Sequence, residues 1–147
     1  MNENTILQVK NLTHKFDDKI ALNNVNFDVF TGEFLAILGP SGCGKTTILR
    51  TLIGLLEPTE GNILMDGNDI THTDPSKRNM GIVFQNYALF PNLTVRENIA
   101  YGLKVRKMPK QTIKEKCDYY MELAGLTEYE NRRVHELSGG QQQRVAI

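Results

Sequence analysis

Tryptophan is absent from this 147-residue chain, and cysteine occurs twice, at Cys43 and Cys117. Two cysteines cannot build a disulfide framework, and neither stands at zinc-ligand spacing. Cys43 lies between two glycines and reads as a small reduced residue. Cys117 falls on the apolar stripe of an expected helix and reads as core. Both suit a reducing compartment. His14, His72 and His135 show no ligand spacing and read as surface or structural residues. No apolar run approaches the ~20 residues a membrane-spanning helix needs. The polar stretch 1–10 lacks the apolar centre of a secretory signal. Any membrane role is therefore expected to come through a partner. Neither sign of charge is in excess, since 17 basic and 17 acidic residues give a formal net charge of zero. That balance argues against a broad electrostatic footprint, and no nucleic-acid partner is expected.

What is present is an ordered succession of patterns. Val25, Phe27 and Val29 alternate with Asn26 and Asp28, which predicts a half-buried strand. Phe34 to Leu38 is a continuous apolar run and predicts a strand covered on both faces, as in a parallel sheet. A helix is expected from Lys45, with Ile48, Leu49, Leu52, Ile53 and Leu56 on one side, ending before Pro58. Asp66-Gly67 between short apolar runs signals a hairpin over Ile63 to Ile70. Gly81 to Phe84 reads as a further buried strand. Thr94 and Glu97 match a capping box. Ile113, Cys117, Tyr120, Met121 and Ala124 keep helical spacing, with Gly125 as a stop. A last helix is expected from Ser138. The chain thus reads as one domain over 1–147, with a β-rich part (1–91) and a helical part (92–147).

Between the apolar run and the first helix stands Gly39-Pro40-Ser41-Gly42-Cys43-Gly44-Lys45-Thr46. It meets the phosphate-loop pattern G-x-x-x-x-G-K-[ST] at every required place. Glycines let the backbone curl so that successive N–H groups point at phosphate oxygens. The helix that follows adds its positive dipole end. Lys45 is expected to reach the β- and γ-phosphates, Thr46 to bind Mg²⁺ and Thr47 to face the α-phosphate. Gly39, Ser41, Gly42, Cys43 and Gly44 supply the cradle. Composition alone would produce such a match in a chain of this length on the order of 1 time in 200.

Leu137-Ser138-Gly139-Gly140-Gln141 is a second anion-ready helix start. Ser138 is a good N-cap and Gln141 sits three residues on. Gly139 and Gly140 let a phosphate approach the exposed N–H groups. With both motifs in place, all 147 residues resemble an ATP-binding-cassette (ABC) ATPase. The resemblance implies an α/β fold of the P-loop NTPase class, with an antiparallel β part and a helical subdomain. It implies a head-to-tail homodimer in which Ser138, Gly139, Gly140 and Gln141 of one subunit meet the ATP held by the other. Lys45, Gln85 and Ser138 (in trans) are then the catalytic candidates, and Thr46 and Gln85 the Mg²⁺ candidates.

The same resemblance places Phe16 where an aromatic ring stacks on adenine, although a core phenylalanine at a strand end would look alike. Gln85 falls at the family's mobile glutamine, against the reading of a plain surface glutamine. The segment Asn86 to Thr94 is unusually apolar for a loop. In the family it receives transmembrane permease subunits, and the alternative is packing within the domain. Gln85 to Leu103 is similar to importers of polyamines, iron(III), phosphonates, sulfate and sugars. The implied location is cytoplasmic, peripheral on the inner face of the membrane.

The family's Walker B strand, catalytic glutamate and switch histidine have no counterpart in these 147 residues. Weak hydrolysis is therefore expected of this polypeptide, together with an uncovered edge at Phe34 to Leu38 that favours partial order, strand exchange between chains or self-association. Two other readings stand beside the importer subunit. One is a non-transport ABC ATPase, and the other is a nucleotide-binding module without catalysis.

Overall fold

A computed structural model describes residues 5–147. The first four residues of the polar amino-terminal stretch lie outside the described residues, and the rest of it enters a strand. The chain divides into two units, Met1–Ile82 and Val83–Ile147.

The first unit is built on an antiparallel sheet. Strands β1 (Thr5–Phe16) and β2 (Lys19–Phe30) form a long hairpin whose tight turn puts Asp17 at φ 50°. Strand β3 (Glu60–Met65) pairs with the other edge of β1, and the short β4 (Asn68–Asp69) closes the order β2-β1-β3-β4. The Asp66-Gly67 turn forms as predicted, with both residues at positive φ (50° and 77°), as a type I′ turn requires. In β2 the expected alternation holds: Val25, Phe27 and Val29 are half-buried, while Asn26 and Asp28 are exposed. Central position gives β1 and β3 the deepest side chains, Val9, Leu12 and Ile63.

Helix α1 (Lys45–Leu52) lays Ile48 and Leu52 into the cluster formed by Leu7, Val9, Leu12, Leu22 and Ile63. It is shorter than the apolar spacing predicts. Ile53 is its C-cap, Gly54 follows at φ 82°, and Leu49 is exposed. The carbonyls left open at this end find an unforeseen donor. The buried Arg78 guanidinium donates to the last carbonyls of the helix, at Thr51 and Leu52.

Two predicted strands do not form. Residues 34–38 and 81–84 carry no ladder, and Phe34 and Leu38 are 93% and 88% exposed. A strand exists only through hydrogen bonds to a neighbour. Among the described residues none of the four strands pairs with either run. The apolar pattern records what these side chains suit, while pairing depends on what lies beside them.

The second unit is helical. Helices α2 (Val95–Val105), α3 (Lys110–Leu123) and α4 (Gly139–Ala146) enclose Val95, Met121, Leu126, Leu137 and Val145. Cys117 is buried on α3 as expected, and burial pushes its thiol pKa up. Gly125 takes the left-handed stop position after α3, at φ 64°. The α2 capping box is complete. Glu97 N–H donates to Thr94 Oγ1, and Thr94 N–H donates to the Glu97 carboxylate. Arg96 bridges Asp118 on α3 and Glu130 beyond it, at 2.7 and 2.6 Å. No helix among the described residues is long and apolar enough to cross a membrane.

Two acids of this helical unit carry a pH signature. The Thr94 backbone N–H holds the Glu97 carboxyl below its ordinary pKa. Hydrogen bonds from Lys114 and then Arg96 do the same for Asp118. Both groups are depressed, so their stabilisation is fully present above about pH 4 and is lost as pH falls through the folded values. Thr94→Ala is expected to lower stability by about 1 kcal/mol at neutral pH. Glu97→Gln should shrink the acid-side fall in the urea midpoint, and an unchanged acid limb would contradict the assignment.

Candidate functional site

The phosphate-loop motif sits where the first unit leaves a helix start open. Gly44 is the N-cap of α1 at φ 98°, no side chain caps the helix, and its first turn holds no acid. Capping is usually supplied by Ser, Thr, Asp or Asn, so a glycine here leaves first-turn N–H groups free for an anion. Gly44 is also forced by packing. A Cβ on it would stand 2.7 Å from the Ala21 carbonyl oxygen and 3.0 Å from Leu22 Cδ2, both on β2. Gly42, at φ 81°, faces open space. Ser41, Gly42, Cys43 and Thr46 are exposed, and Lys45 and Thr47 are half-buried.

Lys45 curls back over its own loop. Its Nζ donates to the carbonyls of Gly39 (2.7 Å) and Pro40 (2.6 Å) and lies 3.6 Å from Cys43 Sγ. The ammonium is therefore held at the loop by acceptors that an incoming anion can replace. No carboxylate neutralises it among the described residues. The donor set is a cation, a glycine-lined curl and a helix amino end, and it suits a polyphosphate.

The second motif forms the start of α4 in the helical unit. Ser138 is its N-cap, with Gln141 N–H donating to Ser138 Oγ at 3.3 Å and Ser138 N–H to Gln141 Oε1 at 2.8 Å. Ser138, Gly139 and Gly140 are exposed, and a Cβ at either glycine would meet nothing within 4 Å. This helix start is capped by its own side chains, unlike that of α1.

Phe16 lies half-exposed at the end of β1 and meets the His14 ring edge-on, with centroids 4.5 Å apart. His14 is buried, and its Nδ1 lies 2.9 Å from the Glu57 carbonyl, so it is structural. His72 is exposed beside Glu57, and His135 is exposed in the helical unit. Gln85 is exposed on an irregular segment just before Tyr87 and Ala88, which hold φ 62° and 50°. Non-glycine residues rarely occupy that region, and such strain gathers at functional loops. The apolar loop continues to Phe90, which stacks on Tyr101 with centroids 4.2 Å apart. An apolar cleft of about 600 Å³ opens between Ile99, Leu103, Tyr120, Leu123 and Val145. None of the motif residues lines it, so volume does not mark the chemistry here.

The family model for ABC transporters matches residues 22–147, which include both glycine motifs. The chain belongs to the ABC transporter family. It is 55% identical, over its whole length, to the spermidine/putrescine import ATP-binding protein PotA of Acetivibrio thermocellus, of which it covers 42%. Among solved structures it is similar to cbiO1 of Clostridium perfringens, part of the ABC transporter complex cbiONQ. There the TM-score is 0.87 at 34% identity, covering 99% of this chain and 60% of that one. It is also similar to the ATP-binding cassette MJ0796 in a dimeric post-hydrolysis state bound to ADP and Pi. That match has a TM-score of 0.83 at 35% identity, covering 96% of this chain and 67% of that one. This ABC chain thus spans less than half of the PotA relative. Its fold is the α/β cassette fold, an antiparallel sheet with helices.

Sequence reasoning missed two side chains that hold these segments in shape. Asn98 accepts from Phe90 N–H through Oδ1, and its Nδ2 donates to the carbonyls of Phe90, Leu93 and Thr94. Arg78 closes the far end of α1. Neither belongs to a periodic pattern. Orphan carbonyls at the end of α1 imply some donor, but nothing local names which one.

The glycines of the two motifs should respond differently to alanine. Gly44→Ala is expected to lower stability by about 1–3 kcal/mol, since the new Cβ meets β2 backbone at a strained φ. Gly140→Ala is expected to be neutral or to stabilise by up to about 1 kcal/mol through helix propensity. Thermal unfolding of both variants checks the contrast.

Proposed function

We propose that this chain binds Mg-ATP at residues 39–47 and belongs to a subunit that energises solute import through a membrane permease. The observation that carries the reading is the uncapped start of α1, with Lys45 parked on the Gly39 and Pro40 carbonyls. The loop's N–H groups and the Lys45 ammonium would hold the β- and γ-phosphates, and the Thr46 hydroxyl would take Mg²⁺. The metal's role is to neutralise charge on the transferring phosphoryl group. Phe16 offers its exposed face to adenine.

Ser138, Gly139, Gly140 and Gln141 would complete the ATP site of a second copy in a head-to-tail dimer. The dimeric state of the MJ0796 relative with ADP and Pi supports this reading. ATP would favour the closed dimer, and hydrolysis would remove the ligand that favours it. The exposed loop around Phe90 would receive the permease, which places the subunit at the cytoplasmic face of the membrane. PotA is named for spermidine/putrescine import, and a polyamine is the solute class we propose for the parent transporter. In functional terms, residues 1–91 serve the nucleotide and residues 92–147 carry the signature motif.

Among the described residues no carboxylate or histidine pairs with Lys45 of the phosphate loop. Nucleotide binding by this polypeptide is therefore expected to outlast turnover by a wide margin. Lys45→Ala should weaken Mg-ATP binding at least about tenfold, the scale of a lost charged hydrogen-bonding group, with an unchanged far-UV circular dichroism spectrum. Titration calorimetry checks this. Equal affinities in the folded variant and the parent would refute the reading.

A further inference from the structure

Arg78 follows a short turn of 3-10 helix, Pro75–Lys77, and is 4% exposed. Its Nη1 donates to the carbonyls of Thr51 (3.1 Å) and Leu52 (2.8 Å). Its Nη2 donates to Thr71 O and its Nε to Thr73 O, each at 2.8 Å. No carboxylate pairs with it among the described residues. A buried cation without a counter-ion persists only where its hydrogen bonds are satisfied. Here four backbone carbonyls do that, and two of them form the negative dipole end of α1. The site is also fitted to a flat group. A Cβ on Gly54 would stand 2.6 Å from Arg78 Nε and 2.8 Å from its Cζ.

We propose that Arg78 is a positioning residue for the phosphate-binding loop, clamping the carboxyl end of α1 to residues 71–73 so that Gly44 and Lys45 are held in place at the other end. The inference rests on the reading that this loop binds nucleotide. The lever is short and stiff. Eight helical residues span about 12 Å, so a tilt of about 5° at the clamped end moves the loop end by about 1 Å. Sites that grip a ligand through several fixed donors tolerate about half of that. Lysine keeps the charge but cannot reproduce a planar fork that reaches four acceptors.

A residue that only stabilises the fold would lower the folded fraction and weaken every nucleotide alike. A residue that sets the loop weakens the polyphosphate selectively. The experiment therefore measures Mg-ATP and AMP affinities of the full chain, together with thermal unfolding, for the parent, Arg78→Lys, Arg78→Ala and Gly54→Ala. Arg78→Lys is expected to fold and to lose about tenfold in ATP affinity, with AMP changed less than about twofold. Methylguanidinium at non-denaturing concentration should restore ATP affinity to Arg78→Ala and leave the parent unchanged. Gly54→Ala, which presses on the guanidinium, should show the same selective loss. If Arg78→Ala does not fold, Arg78→Lys and Gly54→Ala decide the question. An ATP-to-AMP affinity ratio equal to the parent's in the folded variants would overturn the proposal and leave nucleotide binding intact. A parent that shows no Lys45-dependent ATP binding would instead overturn both.

Discussion

An eight-residue helix is too short to hold itself together in water, so α1 depends on what its ends and its apolar stripe touch. Ile48 and Leu52 join the sheet's core, Gly44 lies against the Ala21 carbonyl, and Arg78 grips the last two carbonyls. Each contact also serves the loop in front of the helix. The core contact keeps α1 on the sheet, the glycine lets the loop turn close to β2, and the guanidinium closes the far end. The amino end alone is left unsatisfied by side chains, and phosphate is the natural occupant of that position.

The two anion-ready helix starts in this chain differ in chemical state. At α1 a glycine N-cap provides no acceptor, so arriving phosphate has only the Lys45 bonds to loop carbonyls to displace. At α4 the Ser138 hydroxyl already accepts from Gln141 N–H, and the Gln141 amide accepts from Ser138 N–H. A ligand there must share or replace an internal cap. The first start is open to an anion, and the second is closed by its own side chains.

The segment between these motifs combines exposure with strain. Tyr87 and Ala88 occupy the left-handed region without the freedom of glycine, and Phe90 presents a ring stacked on Tyr101. Asn98 organises the turn from inside α2 through its hydrogen bonds to Phe90, Leu93 and Thr94. A loop with apolar side chains on a fixed backbone is suited to receive a partner, because little conformational entropy is left to lose on binding.

What the amino-acid sequence determined by itself was local. The curl and cation of 39–46, the Asp66-Gly67 turn, the caps at Thr94 and Ser138 and the stop at Gly125 each depend on a few adjacent residues. Backbone conformation at such points follows from the residue types present. The alternation in β2 and the buried Cys117 and Met121 of α3 were legible for the same reason, since each repeats with the period of its own element, whereas Tyr120 of the same stripe is exposed. Residues 34–38 and 81–84 show the limit. Their apolar composition suits a buried strand, but a ladder needs a neighbour, and among the described residues no strand pairs with them. Arg78 shows the limit from the other side. Only the tertiary structure brings its guanidinium, 26 residues along the chain, to the Leu52 carbonyl. Hydrogen bonds between residues so far apart leave no periodic trace, because their geometry depends on how the intervening elements fold back on one another.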